Sequence, residues 1–524
     1  MEEFANAGIW SVVPPLVAIA LALITKEVIF SLLIGIMSGA LIYSSFFGLG
    51  PIGIFTVSID TMISKLADGD NAAMVIFLAL LGGLVTLVTK AGGSNAYGNW
   101  AAKKIKSKQS ASLLTAFLGM LIFIDDYFNC LTVGTVMRPV TDRYHVSREK
   151  LSYLIDATAA PICIIAPISS WAASVISYYP TNTGVSGMQA FIGSIPMNLY
   201  ALLTLFMIIW LSLRKNGDYG PMAAAEKRAK ETGVLGNNFG SSAGGSDELE
   251  QLAISEKGKV IDLILPVAFL VVLSIFAMLW YGGLWDGEGK SVFDAFGDTA
   301  AGYALALGGF GALIVAFFQF VPRKLISFRD YFAGIGTGIK SMVPAIIILT
   351  LAWTISGICR DLLNTGDYVA SLVAASSMPV ALIPAILFFI AAILSFATGT
   401  SWGTFGILIP IGITICDSVA PHLSIVTLSS IMAGSVFGDH CSPISDTTIL
   451  SSTGARCAHI DHVATQLPYA LTVAVICFIG YIISGFTMGV GYVFSMLITL
   501  PISFALLIFA LLVLPKVWKT KALQ

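Results

Sequence analysis

The sequence predicts an all-α polytopic membrane protein with inverted-topology repeats, about eleven transmembrane helices and two re-entrant hairpins. Composition is the first observation: of 524 residues, 56% are hydrophobic and 11% are charged, with a mean hydropathy of +0.88. Soluble domains carry about 25% charged residues, so most of this surface is expected to face lipid. The second observation is a series of long apolar runs, and the third is a shared order of motifs in two parts of the chain.

Charge and cysteine content exclude other classes of protein. The net charge of −2 gives no reason to expect a nucleic-acid partner. The seven cysteines are scattered through apolar runs without a metal-binding or redox spacing, which predicts buried thiols rather than a disulfide framework. Glu2 and Glu3 precede the first apolar run and no cation does, so a cleavable signal peptide is not expected. We therefore expect a multi-pass protein of the cell (inner) membrane.

The apolar runs give the candidate spans, because a helix of about 20 apolar residues crosses the hydrocarbon core. The candidates are Ile9–Thr25, Val28–Gly48, Ala72–Thr89, Leu113–Val140, Leu151–Tyr179, Phe191–Leu213, Val260–Tyr281, Ala300–Val321, Met342–Cys359, Pro379–Ile415, Ile425–Ser451, Leu467–Ile483 and Val490–Pro515.

The first predicted hairpin is 113–140, because a basic loop flanks it on each side. The positive-inside rule places both loops in the cytoplasm, so the segment has to enter and leave on one side. Its polar stretch, Asp125–Asn129, forms the predicted tip. About 12 residues of helix rise about 18 Å, which reaches the middle of a core about 30 Å thick.

The second predicted hairpin is 379–415, with the tip at Thr398–Thr404. Acidic residues flank it and basic clusters do not, so it is expected to enter from outside. Counting the remaining spans alternately then puts the N-terminus outside and the C-terminus in the cytoplasm.

Matching motifs indicate an internal repeat. Ala166–Ser170 corresponds to Ser442–Asp446, and Pro139 and Pro410 each close a hairpin. Repeats of opposite membrane orientation are typical of secondary transporters. The predicted units are a first half with the first repeat at 1–213, a flexible cytoplasmic linker at 214–259, a second repeat at 260–488, and an extra C-terminal transmembrane helix and tail at 489–524.

Proline residues predict broken helices beside the hairpin tips. Pro161 and Pro167 are expected to interrupt the span 151–179, and Pro443 the span 425–451. Each proline frees backbone carbonyls, which in lipid have to be satisfied or line a cavity. Carbonyl and hydroxyl oxygens are suitable ligands for a hard cation such as sodium.

The run Gly438–Thr448 is the most informative stretch, since it places ionisable residues inside a span. Asp439 and Asp446 are seven residues apart, or two helical turns, so both are predicted to face one cavity. Ionisable residues at mid-membrane are functional candidates by default. Asp156 lies about one turn into its span, and either a site or an interfacial position fits it.

Histidines and one serine motif have competing interpretations. His440 either carries the exchanged proton or is a neutral hydrogen-bonding residue. His459 and His462 form an isolated HxxH, predicted in a cytoplasmic loop, which is poor evidence for a metal. Gly399–Gly403 matches GxSxG, but without strand–turn–helix context it fits a glycine-rich hairpin tip better than a hydrolase nucleophile. We therefore expect no enzyme, with an intramembrane serine hydrolase as a remote alternative.

The runs GDHCSPISDTT (438–448), IDDYFN (124–129) and APISSW (166–171) resemble the NhaC family of the ion transporter superfamily. This resemblance implies inverted repeats, two re-entrant hairpins, broken helices and a homodimer. It also implies sodium sites where hairpin tips meet helix breaks, here Asp125–Asn129 with Ala166–Ser170 and Thr400–Thr404 with Ser442–Asp446. The candidate ion- or substrate-binding residues are Asp125, Asp126, Asn129, Asp156, Ser169, Ser170, Thr400, Ser401, Thr404, Asp439, His440, Ser442, Ser445 and Asp446.

The expected sodium ligands within that set are Asn129, Thr400, Ser401, Ser445 and Asp446. The family's name implies Na⁺/H⁺ exchange without any cofactor other than the coupling ions. Some members resemble sodium-linked carriers of organic substrates, so uptake of an amino acid or a small organic acid is the alternative. Trp171, Trp402 and Tyr127 are the residues expected to line a pocket for such a substrate.

Overall fold

The computed structural model describes residues 7–25, 27–123, 126–167, 169–180, 185, 187–236, 255–287, 289–292, 295, 299–365, 368 and 379–518. Every regular element within these ranges is a helix, which confirms the predicted all-α class.

Long helices make up most of the described chain. They are α1 (Val13–Thr25), α2 (Val28–Phe47), α3 (Gly50–Ala67), α4 (Gly69–Lys90), α5 (Gly93–Lys104), α6 (Lys108–Leu121), α7 (Asp126–Arg143), α8 (Arg148–Cys163), α9 (Ser170–Tyr178), α10 (Gly187–Ser194), α11 (Leu199–Leu213), α12 (Gly220–Thr232), α13 (Ile261–Tyr281), α14 (Ala301–Phe320), α15 (Phe328–Gly357), α16 (Ile383–Thr398), α17 (Ser401–Val419), α18 (Ser424–Cys441), α19 (Asp446–Ala455), α20 (His459–Thr487) and α21 (Tyr492–Val517). Within the described ranges, 8 helices are long and apolar enough to cross a membrane, or up to 9 if one bent pair counts as a span. The chain is therefore a multi-pass membrane protein.

Two pairs of shorter helices lie where the hairpins are predicted. Helices α6 and α7 have 14 and 18 residues, and α16 and α17 have 16 and 19. At a rise of 1.5 Å per residue each is shorter than a core about 30 Å thick. In the first pair, the start of α6 is joined to the segment after α7, because Lys108 Nζ donates to the His145 carbonyl over 2.7 Å. In the second pair, Gly399 ends α16 at φ +70° and Thr400 begins α17 in an extended conformation.

Two helices are broken, as the sequence predicts. The first break, 164–169, separates α8 from α9, and the second, 442–445, separates α18 from α19. Ser169 and Ser445 cap the helices that follow, accepting from Ala172 N and Thr448 N. Pro161 lies inside α8 and does not interrupt it, contrary to the prediction, so the first break falls at Pro167 alone.

The hairpins and broken helices pack in a reciprocal pattern. Helices α6 and α7 contact α8, and α16 and α17 contact α18. Each hairpin also contacts the second part of the opposite broken helix, α7 against α19 and α17 against α9. Helix α7 and α19 approach at Gly134 and Gly454, where a Cβ on Gly134 would lie 2.6 Å from the Gly454 carbonyl carbon. Each hairpin is therefore packed against parts of both broken helices.

The predicted flexible linker contains an anchored helix, α12. Glu226 pairs with Lys108 over 2.7 Å and accepts from the Ser147 amide over 2.8 Å. Arg228 pairs with Glu149 over 2.7 Å. This helix therefore holds the first residues of α6 and α8 together, while residues 237–254 of the linker lie outside the described part of the chain.

Candidate functional site

Asp439 lies at the centre of the site, in the last turn of α18 just before the second break. It is 1% exposed. Ser401, the first residue of α17, donates to Asp439 Oδ2 through its hydroxyl over 2.8 Å and through its amide over 3.2 Å. Ser445, in the break, donates from Oγ to Asp439 Oδ1 over 2.6 Å. One buried carboxylate thus holds the start of the second hairpin's second helix against the break.

Other hydroxyl groups of the predicted set support this meeting point. Ser442 donates to the Phe396 carbonyl over 2.8 Å, which ties the break to α16. Thr404 donates to the Thr400 carbonyl over 3.2 Å, within the first turn of α17. Ser445 Oγ also lies 3.0 Å from Thr447 Oγ1. These contacts tie the second break and the start of α17 together around the two serines that bind Asp439.

A close approach of backbone explains the glycine at this tip. Gly399 has φ +70°, in the left-handed region that favours glycine. A Cβ placed there would lie 2.6 Å from the Ile444 carbonyl oxygen in the break. The hairpin tip therefore reaches the broken helix only because residue 399 has no side chain.

Asp446 contacts the first hairpin instead of sharing a helix face with Asp439. One helix ends and another begins between the two acids, so the prediction that they lie two turns apart on one helix is wrong. The Tyr127 hydroxyl of α7 donates to Asp446 Oδ2, and the Thr447 amide donates to Oδ1 over 2.9 Å. Asp446 therefore connects the break to the first hairpin, as Asp439 connects it to the second.

Asn129 is the buried amide of the first hairpin. Its Nδ2 donates to the carbonyls of Gly119 and Ile122 at the end of α6, over 2.7 and 2.8 Å, and to the Thr158 carbonyl of α8 over 3.1 Å. Its Oδ1 is buried and has no hydrogen-bond partner among the described residues. The fixed amide therefore presents an oxygen that a cation can bind.

Of the remaining predicted residues of the first hairpin and first break, the structure describes the side chains of Ser169 and Asp126. Ser169 Oγ donates to the Cys163 and Ala166 carbonyls over 2.8 and 3.0 Å, so it holds the break in shape. Asp126 is fully buried as the first residue of α7. Asp125 and the side chain of Ser170 lie outside the described residues.

A second buried cluster surrounds Asp156 on α8. His462 Nε2 lies 3.1 Å from Asp156 Oδ2, and Gln466 Nε2 donates to the same oxygen over 2.7 Å. Gln466 Nε2 also donates to the His440 carbonyl, and His440 Nδ1 lies 2.7 Å from the Tyr200 hydroxyl. Asp156 is therefore fully buried in the protein, in contact with two side chains of α20.

Sequence analysis missed His462, Gln466 and Tyr200. The HxxH pair lies in the first turn of α20 rather than in the predicted loop. His459 binds the Pro443 carbonyl over 2.7 Å, two turns before Gln466. His462 and Gln466 lie directly before the predicted apolar run 467–483 and were a usable signal, since polar groups in membrane helices mark functional positions. No described group of three or more His, Cys, Asp or Glu residues is arranged to hold a metal ion.

Chemically, the arrangement suits a hard monovalent cation. The Asp439 carboxylate supplies charge, and two serine hydroxyls bind it, one from the tip of the second hairpin and one from the second break. Multi-span helical proteins with an ionisable group where broken helices meet are secondary transporters. The chain is a transporter of this class.

The chain belongs to the Na⁺/H⁺ antiporter family, whose family model matches residues 162–486. This confirms the resemblance to the NhaC family and the antiporter type of transport. An uncharacterized protein of Haemophilus influenzae is 42% identical over 496 residues, 92% of each chain. The malate-2H⁺/Na⁺-lactate antiporter of Bacillus subtilis is 29% identical over 237 residues, 44% of this chain and 45% of that protein. The Neisseria gonorrhoeae efflux pump MtrF aligns over 90% of this chain and 84% of its own, with 12% identity and a TM-score of 0.29, which is too low to support an argument.

Proposed function

We propose that the protein exchanges Na⁺ for H⁺ and that Asp439 is the carboxylate that binds the Na⁺ ion. The observation that carries this proposal is the position of Asp439, which is 1% exposed and held by Ser401 and Ser445 from two separate helix ends. A buried carboxylate is costly when ionised and alone. Either Na⁺ or H⁺ removes that cost, so the two cations compete for one group. Competition at one group is the physical basis of exchange.

The ligand set we propose combines both hairpins. On the second-hairpin side Ser401 and Ser445 donate to Asp439, and the carbonyl of Thr400, the residue before Ser401, accepts from Thr404. On the first-hairpin side Asn129 Oδ1 and the Asp446 carboxylate supply further oxygens. Asp126, Ser442 and Thr404 shape the same region. Hydroxyl, amide and carboxylate oxygens are the ligands that hard cations prefer.

The reciprocal packing of hairpins and broken helices supports the inverted repeat that we propose. Each hairpin contacts its own broken helix and the second part of the other one. Two units related by a pseudo-two-fold axis produce this pattern. We further propose an external N-terminus, a cytoplasmic C-terminus in the cell membrane, and a homodimer.

An aromatic pair favours a second candidate function, Na⁺-linked exchange of a small organic acid. The rings of Trp171 and Trp402 are 5.3 Å apart, and Trp402 directly follows Ser401. Trp171 Nε1 is buried without a hydrogen-bond partner among the described residues. An indole N–H can donate to a carboxylate. The relative named a malate-2H⁺/Na⁺-lactate antiporter makes malate and lactate the first compounds to test.

A hydrolase is not part of the proposal, and neither is a cofactor. Ser401 donates to Asp439 and lies 3.1 Å from the Ser435 carbonyl, which are contacts of a cation ligand or a structural hydroxyl. It begins a helix that follows another helix, whereas the nucleophile elbow requires a preceding strand. Na⁺ and H⁺ are the coupling ions that we propose.

Reconstituted protein tests the function directly. Proteoliposomes loaded with Na⁺ and a pH-sensitive dye are diluted into Na⁺-free buffer, with K⁺-loaded vesicles as the control. Na⁺/H⁺ exchange predicts acidification of the lumen without any organic anion. Acidification that requires malate or lactate would support the second candidate, and no Na⁺-dependent pH change under either condition would contradict both.

A further inference from the structure

Asp156 and His462 form a buried pair apart from the Asp439 contacts. Both side chains are 0% exposed, and His462 Nε2 lies 3.1 Å from Asp156 Oδ2. Residues 156 and 462 lie on different helices, α8 and α20. Neither side chain hydrogen-bonds Ser401 or Ser445, which hold Asp439. The pair is therefore a separate titratable unit inside the membrane protein.

The pair has room for one proton without loss of its contacts. Both donors, His462 and Gln466, approach Asp156 Oδ2. Asp156 Oδ1 and His462 Nδ1 are buried and have no hydrogen-bond partner among the described residues. A proton can thus add to Asp156 Oδ1, or to His462 Nδ1, while the Oδ2 contacts persist. Either addition changes the charge of the pair from −1 to zero, which a buried site favours.

Gln466 connects the pair to the second break. Its Nε2 donates to Asp156 Oδ2 over 2.7 Å and also to the His440 carbonyl. His440 directly follows Asp439 in the last turn of α18. A change of charge at Asp156 therefore alters a hydrogen bond to the peptide beside the proposed sodium ligand.

The titratable groups around the pair come from several elements. His440, Asp439 and Cys441 lie on α18, Asp446 begins α19, Tyr200 lies on α11, and His459 lies on α20. Each interacts electrostatically with Asp156. Loss of negative charge at Asp156 therefore weakens the attraction of the whole region for a cation.

We infer that the Asp156–His462 pair is a proton-binding site distinct from the sodium site at Asp439, with Gln466 as the positioning residue that couples the two. This inference rests on the proposed function. A second proton, in addition to the one that competes with Na⁺ at Asp439, enters from water and binds the pair as Na⁺ leaves, and it returns to water as Na⁺ binds. No covalent bond between heavy atoms forms or breaks.

Sodium affinity measured against pH tests the inference. Equilibrium ²²Na⁺ binding to purified protein is followed from about pH 5 to about pH 9. Each proton linked to binding changes the apparent Kd up to about tenfold per pH unit. Asp156→Asn is expected to keep saturable Na⁺ binding. The slope of its log Kd against pH should fall by up to the contribution of one proton. His462→Gln removes the imidazole but keeps a donor, and should also reduce the slope.

The matched control is Asp461→Asn, which removes the carboxylate next to His462 outside the pair; it should keep the wild-type slope. Wild-type slopes in both Asp156→Asn and His462→Gln would overturn the inference. Complete loss of Na⁺ binding in Asp156→Asn at every pH would also overturn it, because Asp156 would then belong to the sodium site. Asp439→Asn tests the proposed function separately. Retained Na⁺ binding in that variant would contradict the proposed sodium site, while the pH slope of Asp156→Asn would still report on the proton site.

Discussion

Ser401→Ala isolates one ligand of the proposed sodium site with little effect on folding. The substitution removes the hydroxyl that donates to Asp439 Oδ2 over 2.8 Å, while the Ser401 amide keeps its own bond to that oxygen. Asp439 therefore stays oriented and partly satisfied. A hydrogen bond to a charged group contributes about 1.5 to 3 kcal/mol. Because this hydroxyl is proposed to stabilise the Na⁺-bound protein, its removal should lower Na⁺ affinity roughly 10- to 150-fold.

Equilibrium ²²Na⁺ binding to detergent-purified protein measures this loss, and thermal unfolding without Na⁺ checks the fold. Ser430→Ala is the matched control, because among the described residues the Ser430 hydroxyl on α18 bonds only the Thr427 carbonyl of its own helix, over 2.9 Å. The control should bind Na⁺ like the wild type. A Ser401→Ala affinity within a factor of about two of wild type, with an unchanged melting temperature, would refute the role of the hairpin hydroxyl.

Three further predictions concern the first hairpin, the tip of the second hairpin and the helix in the linker. Cysteines introduced at Ser107 and Tyr144 should react with an impermeant thiol reagent from the cytoplasmic side alone, and labelling of the two from opposite sides would contradict the first re-entrant hairpin. Gly399→Ala should cost about 1 to 2 kcal/mol of backbone strain, because residue 399 is in the left-handed region. Its Cβ would also lie 2.6 Å from the Ile444 carbonyl oxygen, so the melting temperature should fall and exchange should be impaired. A stable, fully active variant would count against the close approach of tip and break. Glu226→Gln removes the charge that pairs with Lys108 and should speed tryptic cleavage within α12 several-fold, whereas an unchanged cleavage rate would show that the ion pair does not anchor this helix.

The architecture of the site could largely be predicted from local sequence. A glycine at the hairpin tip, proline in each break and serines after them are short-range signals, and the structure places breaks at 164–169 and 442–445. Pro161 shows the limit of such signals, since it remains inside α8. A proline kinks or breaks a helix only where neighbouring groups satisfy the freed carbonyls.

Partners across the fold could not be predicted from one sequence. Asp156 and His462 are 306 residues apart, and Tyr127 and Asp446 are 319 apart. Their contacts depend on how α8, α20, α7 and α19 pack, which no local pattern specifies. The sequence therefore indicated which residues carry charge but not how Asp439 and Asp446 divide between the two hairpins.

The predicted linker 214–259 contained a local signal for a helix, but its glycine- and serine-rich run was given more weight. The glycine- and serine-rich run 240–246 suggested flexibility for the whole segment 214–259. Pro221 near the start, the alanine-rich run after it and Gly233 at the end are the usual signs of a short helix. The structure forms α12 there and anchors it through Glu226 and Arg228.

Sodium binding to Asp439→Asn tests the central claim most directly. The amide keeps the shape of the side chain but removes the charge that balances a bound cation. Asp417→Asn, at the far end of α17, is the control, since its carboxylate accepts from Ser424 away from the site. The account predicts that the control binds ²²Na⁺ with wild-type affinity and that Asp439→Asn shows no saturable binding at any pH. Near-wild-type affinity in a folded Asp439→Asn protein would contradict it.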